Sequence, residues 1–150
     1  HLSIRRQRQM CIRDSHNYKL AEKYATIERE ETVAELVGCD DADLVLVAYG
    51  SSARACKGAL ELLRAKGIRA GLVRPVTLWP FPWRPLADLA RRVTRFLVVE
   101  MSLGQLIEDV QLAVARERSL KEAKVELLGR PGGGIPTPEE IAARARKVAA

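Results

Sequence analysis

The residues that could do chemistry in this chain stand where predicted strands end. Glu100 closes the apolar run F-L-V-V-E, where a carboxylate could act as a general base or pair with Arg74. Gly50-Ser51-Ser52 follows the apolar run at 44–49, so its backbone N–H groups could hold a phosphate. The same stretch could instead form a tight turn in which a serine caps the next helix. The Gly/Pro-rich stretch 129–137 could wrap a ligand or form a flexible lid or turn.

Several catalytic systems lack the residues that they need. The two histidines, His1 and His16, lie before the predicted folded region, so Ser-His and Cys-His nucleophile pairs are excluded. Cys11, Cys39 and Cys56 are widely spaced, which argues against a disulfide framework and against a zinc or iron–sulfur ligand set. Neither a P-loop nor a G-x-G-x-x-G motif is present. We therefore predict no catalytic residue and no metal site.

A proline-rich aromatic loop, R-P-V-T-L-W-P-F-P-W-R-P at 74–85, holds both tryptophans and four of the seven prolines. Proline restricts its own φ and the residue before it, so the loop is stiff before it docks. Tryptophan is enriched at energetic hot spots of interfaces. We predict a docking surface with Trp79, Phe81, Trp83 and Gln105 as candidates. Either Trp79 or Phe81 is expected to cover the core, and Trp83 to point outward.

The elements that position these loops alternate between strand and helix. The predicted strands lack polar alternation, which is typical of strands buried on both faces, and a helical pattern follows each of them. This alternation predicts an α/β fold, a three-layer α/β/α sandwich with a mostly parallel sheet whose ligand sites lie at the carboxyl ends of the strands. The four strands are expected at 44–49, 68–73, 96–100 and 124–128.

The N-terminal part has a different composition. M-C-I-R-D-S resembles read-through of a library adapter, so residues 1–15 are expected to be a non-native or disordered tail. Residues 16–38 are expected to form a charged connector helix, and 39–150 the α/β domain.

Half of the net charge of +6 lies in residues 1–15, and no basic stripe interleaved with aromatic residues follows. No apolar run approaches the roughly 20 residues of a membrane span. We expect a cytoplasmic protein without nucleic-acid or membrane partners.

Four stretches together resemble one family. They are A-D-L-V-L-V-A-Y-G-S-S-A-R, G-L-V-R-P-V-T-L-W-P-F-P, F-L-V-V-E-M-S-L-G-Q-L-I-E-D-V-Q-L-A-V and G-R-P-G-G-G-I-P-T-P-E-E-I. In this order they resemble the C-terminal, transketolase-C-like domain of the alpha subunit of 2-oxoacid:ferredoxin oxidoreductases, over residues 16–150. The third and fourth stretches are most similar to the 3-methyl-2-oxobutanoate (branched-chain) type, and the 2-oxoglutarate type is the competing alternative.

The resemblance implies oxidative decarboxylation of a 2-oxoacid to acyl-coenzyme A with reduction of ferredoxin. It implies thiamine diphosphate with Mg, coenzyme A and iron–sulfur clusters in the whole complex, none of them bound by this fragment alone. The partners would be a beta subunit and an iron–sulfur, ferredoxin-like subunit in a hetero-oligomer, with ferredoxin as the electron acceptor. The fragment alone would be inactive and would serve subunit assembly.

Two alternatives belong to other classes of protein. One is a module that binds coenzyme A or a nucleotide phosphate at the strand edge through Ser51, Ser52, Arg54 and Arg74. The other is a free-standing flavodoxin-like or receiver domain, but the phosphate loop of the former and the acidic cluster of the latter are missing.

Overall fold

The structure, a computed structural model, describes residues 2–118 and 122–149. It divides into a unit that ends at Thr32 and a compact unit that begins at Val33. The first unit holds one helix, α1, Leu2–Glu30. This helix includes most of the segment 1–15 that the sequence analysis set aside. The helix predicted for 16–38 ends at Glu30, where the Glu31 N–H still donates to the Ile27 carbonyl at 2.8 Å.

The second unit is a five-stranded sheet with helices on both faces. The strand order is β1-β3-β2-β4-β5, and β2 to β5 run parallel. The strands are β1 Ala34–Val37, β2 Leu44–Ala48, β3 Ala70–Pro75, β4 Arg95–Glu100 and β5 Lys124–Gly129. The helices are α2 Gly50–Arg64, α3 Trp83–Ala90, α4 Gln105–Ala115 and α5 Pro138–Ala149. The predicted three-layer α/β/α fold is confirmed.

Two apolar cores lie on opposite faces of this sheet. Val45 and Val47 pack with α3 and α4, whereas Leu44 and Leu46 pack with α2 and α5. Successive side chains of a strand point to opposite faces, and each face is covered here, so all five residues of β2 are buried. This double burial explains why the strand sequences show no alternation of polar and apolar residues.

An edge strand, β1, was not predicted from the sequence. It pairs antiparallel with β3, with Ala34 opposite Pro75. Glu35 accepts hydrogen bonds from Lys57 at 2.7 Å and from Arg74 at 2.9 Å, which joins β1 to α2 and β3. β1 is only four residues long, and its sequence reads as a continuation of the charged helical pattern before it. The sequence pattern therefore gives no sign of a strand here. In the described part of the chain, no helix has the length and apolar character of a membrane span.

Candidate interaction site at the carboxyl edge of the sheet

The carboxyl ends of β2 and β4 border the point where the winding of the sheet reverses. The chain leaves β2 for β3 on one side and then crosses to β4 on the other side. In open α/β sheets, the crevice at such a switch point is where ligands bind. Tyr49 follows β2, and Glu100 ends β4. Both side chains belong to the α3/α4 face, since Val47 and Val98, two residues earlier, lie in that core.

Glu100 is buried at this switch point, with 1% of its surface exposed. Its Oε2 accepts a hydrogen bond from the Leu106 N–H at 3.1 Å and another from the Ser102 hydroxyl. The carboxylate thus satisfies an amide in the first turn of α4, where a negative charge is stabilised by the helix dipole. Its Oε1 is also buried and has no hydrogen-bond partner among the described residues.

Arg74 does not form the expected pair with Glu100. Its Nη1 donates instead to Glu35 Oε2 at 2.9 Å, across the β1–β3 pair. This pairing depends on β1, which the sequence pattern does not predict. The hydrogen bonds from Lys57 and Arg74 hold the pKa of Glu35 below its ordinary value. Arg74 therefore pairs with Glu35 at the edge of the sheet and not with Glu100 at the switch point.

The Gly50-Ser51-Ser52 stretch forms the first turn of α2. The N-cap residue is Tyr49, and no side chain caps the helix, so the expected serine cap is not formed. Ser52 is buried and Ser51 is exposed. Arg74, a candidate for the phosphate site, is paired with Glu35. The backbone at Gly50, with φ of +56°, supplies the sharp turn between β2 and α2.

The proline-rich aromatic loop places its rings differently from the expectation. Trp79 is 62% exposed, whereas Phe81 and Trp83 are half-buried against the α3/α4 core. The guanidinium of Arg116 lies 3.9 Å from the centre of the Trp83 ring, and that of Arg84 lies 5.5 Å away. Trp83 is the first residue of α3, so the packing of this helix turns its ring inward. Trp79, and not Trp83, is the outward ring.

The Gly/Pro-rich stretch after β5 is fixed at its far end by a capping box. The Thr137 N–H donates to Glu140 Oε2 at 2.9 Å, and the Glu140 N–H donates to Thr137 Oγ1 at 3.3 Å. Arg130 Nη2 donates to Glu140 Oε1 at 2.6 Å. The Thr137 amide and Arg130 together lower the pKa of Glu140. These contacts tie both ends of the stretch to the start of α5, which favours a fixed turn over a lid.

Exposed apolar side chains gather at the same edge. Of the ten large hydrophobic residues that are exposed in the second unit as described, seven follow or adjoin the carboxyl ends of the strands. Gln105, at the start of α4, is exposed beside them. We call the following seven residues the apolar rim: Val33, Val76, Leu78, Trp79, Met101, Leu103 and Ile135. Apolar contact area concentrated around a few aromatic residues is typical of protein–protein interfaces.

Both cysteines of the second unit are buried and free. Burial raises the pKa of the Cys56 thiol to about 12 and also raises that of Cys39, so both thiols stay protonated near neutral pH. Within residues 2–118 and 122–149, no three His, Cys, Asp or Glu side chains come together as metal ligands would.

Comparison with known proteins shows which family shares this arrangement. The family described as pyruvate:ferredoxin oxidoreductase core domain II matches residues 42–141. Ketoisovalerate oxidoreductase subunit VorB of Methanothermobacter thermautotrophicus is 42% identical over 136 residues, which cover 91% of this chain and 37% of the relative. 2-Oxoglutarate synthase subunit KorA of Methanothermobacter marburgensis is 39% identical over 102 residues, or 68% of this chain and 26% of the relative.

Solved structures share the fold at lower identity. 2-Oxoglutarate:ferredoxin oxidoreductase from Magnetococcus marinus superposes with a TM-score of 0.64 and 23% identity, covering 79% of this chain and 20% of that chain. A split-gene transketolase gives a TM-score of 0.64 and 21% identity, covering 77% and 41%. The chain spans little more than a third of the length of the VorB relative. From the family match and the identity to VorB, the chain belongs to the 2-oxoacid:ferredoxin oxidoreductase family and contains its core domain II.

Proposed function

We propose that this chain is part of the alpha subunit of a 2-oxoacid:ferredoxin oxidoreductase, and that its α/β domain serves subunit assembly rather than chemistry. The observation that carries the proposal is the apolar rim, which lies at the edge where such folds bind partners and ligands. Known relatives are subunits of ketoisovalerate and 2-oxoglutarate oxidoreductases, so a hetero-oligomeric complex is the setting in which the rim would be covered.

The whole complex would oxidatively decarboxylate a 2-oxoacid, with the branched-chain type favoured. The support is the VorB relative, whose match extends over 91% of this chain, against 68% for the KorA relative. Thiamine diphosphate with Mg, coenzyme A and iron–sulfur clusters would supply the chemistry from elsewhere in the complex. The beta and iron–sulfur subunits would be the partners, and ferredoxin the electron acceptor.

The described residues of this chain do not suit those groups. Arg74 is paired with Glu35 and Ser52 is buried, so two of the residues considered for a phosphate site already serve contacts within the domain. A ligand set for a metal is also missing from the described residues. We therefore derive no catalytic step through a cofactor on this chain. Its own contribution would be to hold a rigid, apolar surface in place at the edge of the sheet.

The assembly role is tested by changing the rim in the full-length subunit. Trp79→Ala combined with Leu103→Ala removes two exposed side chains, so the isolated subunit should keep its thermal midpoint. Loss of a central tryptophan contact costs about 2 kcal/mol or more at many interfaces. We expect the dissociation constant for the partner subunits to rise at least about tenfold, measured by mass photometry or biolayer interferometry.

A matched control is Leu112→Ala. Leu112 is exposed on α4 but lies outside the rim, so this variant should bind the partner subunits within about twofold of the unmodified subunit. If the rim variant assembled as tightly as this control, the assembly role of the rim would be wrong. A loss of affinity in both variants would show that the contact is not confined to the rim.

A further inference from the structure

Glu100 is an unusual group for the interior of a small domain. Together with Ser52, it makes up the set of buried polar side chains among the described residues. One carboxylate oxygen, Oε2, accepts hydrogen bonds from Ser102 and Leu106. The other, Oε1, is closed from solvent and has no hydrogen-bond partner among the described residues. Burying a carboxylate oxygen without a hydrogen bond is costly, and such groups in native proteins call for an explanation.

Four basic side chains near this edge have other partners. Arg74 pairs with Glu35, and Arg130 pairs with Glu140. Arg84 and Arg116 lie over the ring of Trp83. None of the ion pairs that the described residues form includes Glu100. A buried carboxylate is therefore left without a cation, although pairing is the usual way in which buried charges are stabilised.

The Glu100 carboxylate lies close beneath the surface of the domain. Ser102, whose hydroxyl donates to the carboxylate, is half-buried, so the carboxylate lies one side chain below the surface. Met101 and Leu103, on either side of Ser102, belong to the apolar rim, and Leu103 is 77% exposed. The unsatisfied charge thus lies directly beneath a part of the surface that would lose its water on docking. In such surroundings an ionic hydrogen bond is stronger than in water.

We propose that Glu100 Oε1 accepts an ionic hydrogen bond from an arginine or lysine side chain of another subunit that docks on the apolar rim. This inference rests on the assembly role proposed above and names the chemistry of its central contact. The partner surface would carry one basic side chain within an apolar patch, complementary to one carboxylate beneath the rim. Because Oε1 is closed from solvent in this conformation, docking has to shift the atoms that cover it.

The test uses Glu100→Gln in the full-length subunit, with Ser102→Ala as the matched control. The glutamine keeps the shape of the side chain but removes its charge, whereas Ser102→Ala removes one hydrogen bond to Oε2 and leaves the charge. Hydrogen bonds to charged groups contribute more than neutral ones. We expect Glu100→Gln to raise the dissociation constant for the partner subunits about tenfold or more, and Ser102→Ala to raise it less than about threefold.

The outcomes separate the two proposals. Equal losses of affinity in Glu100→Gln and Ser102→Ala, with equal losses of thermal midpoint in the isolated subunit, would overturn the ionic contact and leave Glu100 as a helix cap. If the combined Trp79→Ala and Leu103→Ala variant weakened assembly while Glu100→Gln did not, the rim would remain an interface and the ionic contact would be wrong. If neither variant weakened assembly, the assembly role itself would fail.

A structure of the assembled complex decides the matter even if Glu100→Gln does not fold. We expect an arginine or lysine nitrogen of another subunit within hydrogen-bond distance, about 3 Å, of Glu100 Oε1. A buried water at that position, or a donor from the same subunit, would overturn the inference. A carboxylate that still lacked any donor after assembly would overturn it as well.

Discussion

Trp83 connects the loop after β3 to the α3/α4 core, and its environment is unlike that of Trp79. Its ring packs on the core while the guanidinium of Arg116 stacks 3.9 Å from the ring centre. Trp79 lies only four residues earlier but is 62% exposed. We therefore propose different tasks for these two tryptophans, with Trp83 serving the stability of the domain and Trp79 serving contact.

We expect Trp83→Ala to lower the free energy of unfolding by about 2–4 kcal/mol, since a large, partly buried ring and its stacking with Arg116 are both lost. Trp79→Ala is the control and should cost less than about 1 kcal/mol. The measurement is urea unfolding followed by circular dichroism, which does not depend on the removed fluorophore. Similar losses in both variants would contradict the assignment of separate tasks.

At the scale of the elements, the parallel strands were predictable from the sequence, and the edge strand was not. L-V-L-V-A is apolar throughout and F-L-V-V-E is apolar at every position but the last, because helices cover both faces of the sheet. A-E-L-V has no such signal, and its pairing with β3 depends on a contact between residues about forty positions apart. The pairing of Arg74 with Glu35 was missed for the same reason.

The candidate site was predictable in place but not in detail. Ligand sites in α/β sheets lie at the carboxyl edge, so the loops were identified from the strand pattern alone. Which tryptophan points outward depends on where α3 begins, and helix ends are set by packing as well as by local sequence. The unpartnered Oε1 of Glu100 gives no signal in the sequence, because it depends on which donors the fold brings near.

The close approach of β3 to the turn after β1 can be tested at Gly71. A Cβ added there would lie 2.9 Å from the Gly38 carbonyl oxygen and 3.0 Å from Cys39 Cα, and backbone atoms cannot easily move away. We expect Gly71→Ala to destabilise the domain by about 1–3 kcal/mol in urea unfolding. At Gly134 the added Cβ would meet only the flexible side chain of Arg130 at 3.0 Å, so Gly134→Ala should cost far less. Equal costs would contradict this close packing.

At the scale of the whole molecule, ion pairs join elements of the second unit both beside the apolar rim and away from it. Glu35 links β1 to α2 and β3, Asp41 pairs with Arg64, and Glu117 pairs with Arg91. For each of these three carboxyl groups, the basic partners hold the pKa below its ordinary value.

These pairs predict how stability depends on acid. Because the pKa of Glu35 is lower in the folded than in the unfolded state, its contribution is present above its ordinary pKa of 4.5 and is lost as pH falls through the lower folded value. The thermal midpoint should therefore fall between about pH 5 and 3, and the fall should be smaller in Glu35→Gln. The control is Glu61→Gln, because Glu61 joins none of the ion pairs among the described residues. Identical pH profiles for Glu35→Gln and the unmodified protein would show that the pairs of Glu35 with Lys57 and Arg74 are screened by solvent and contribute no measurable stability.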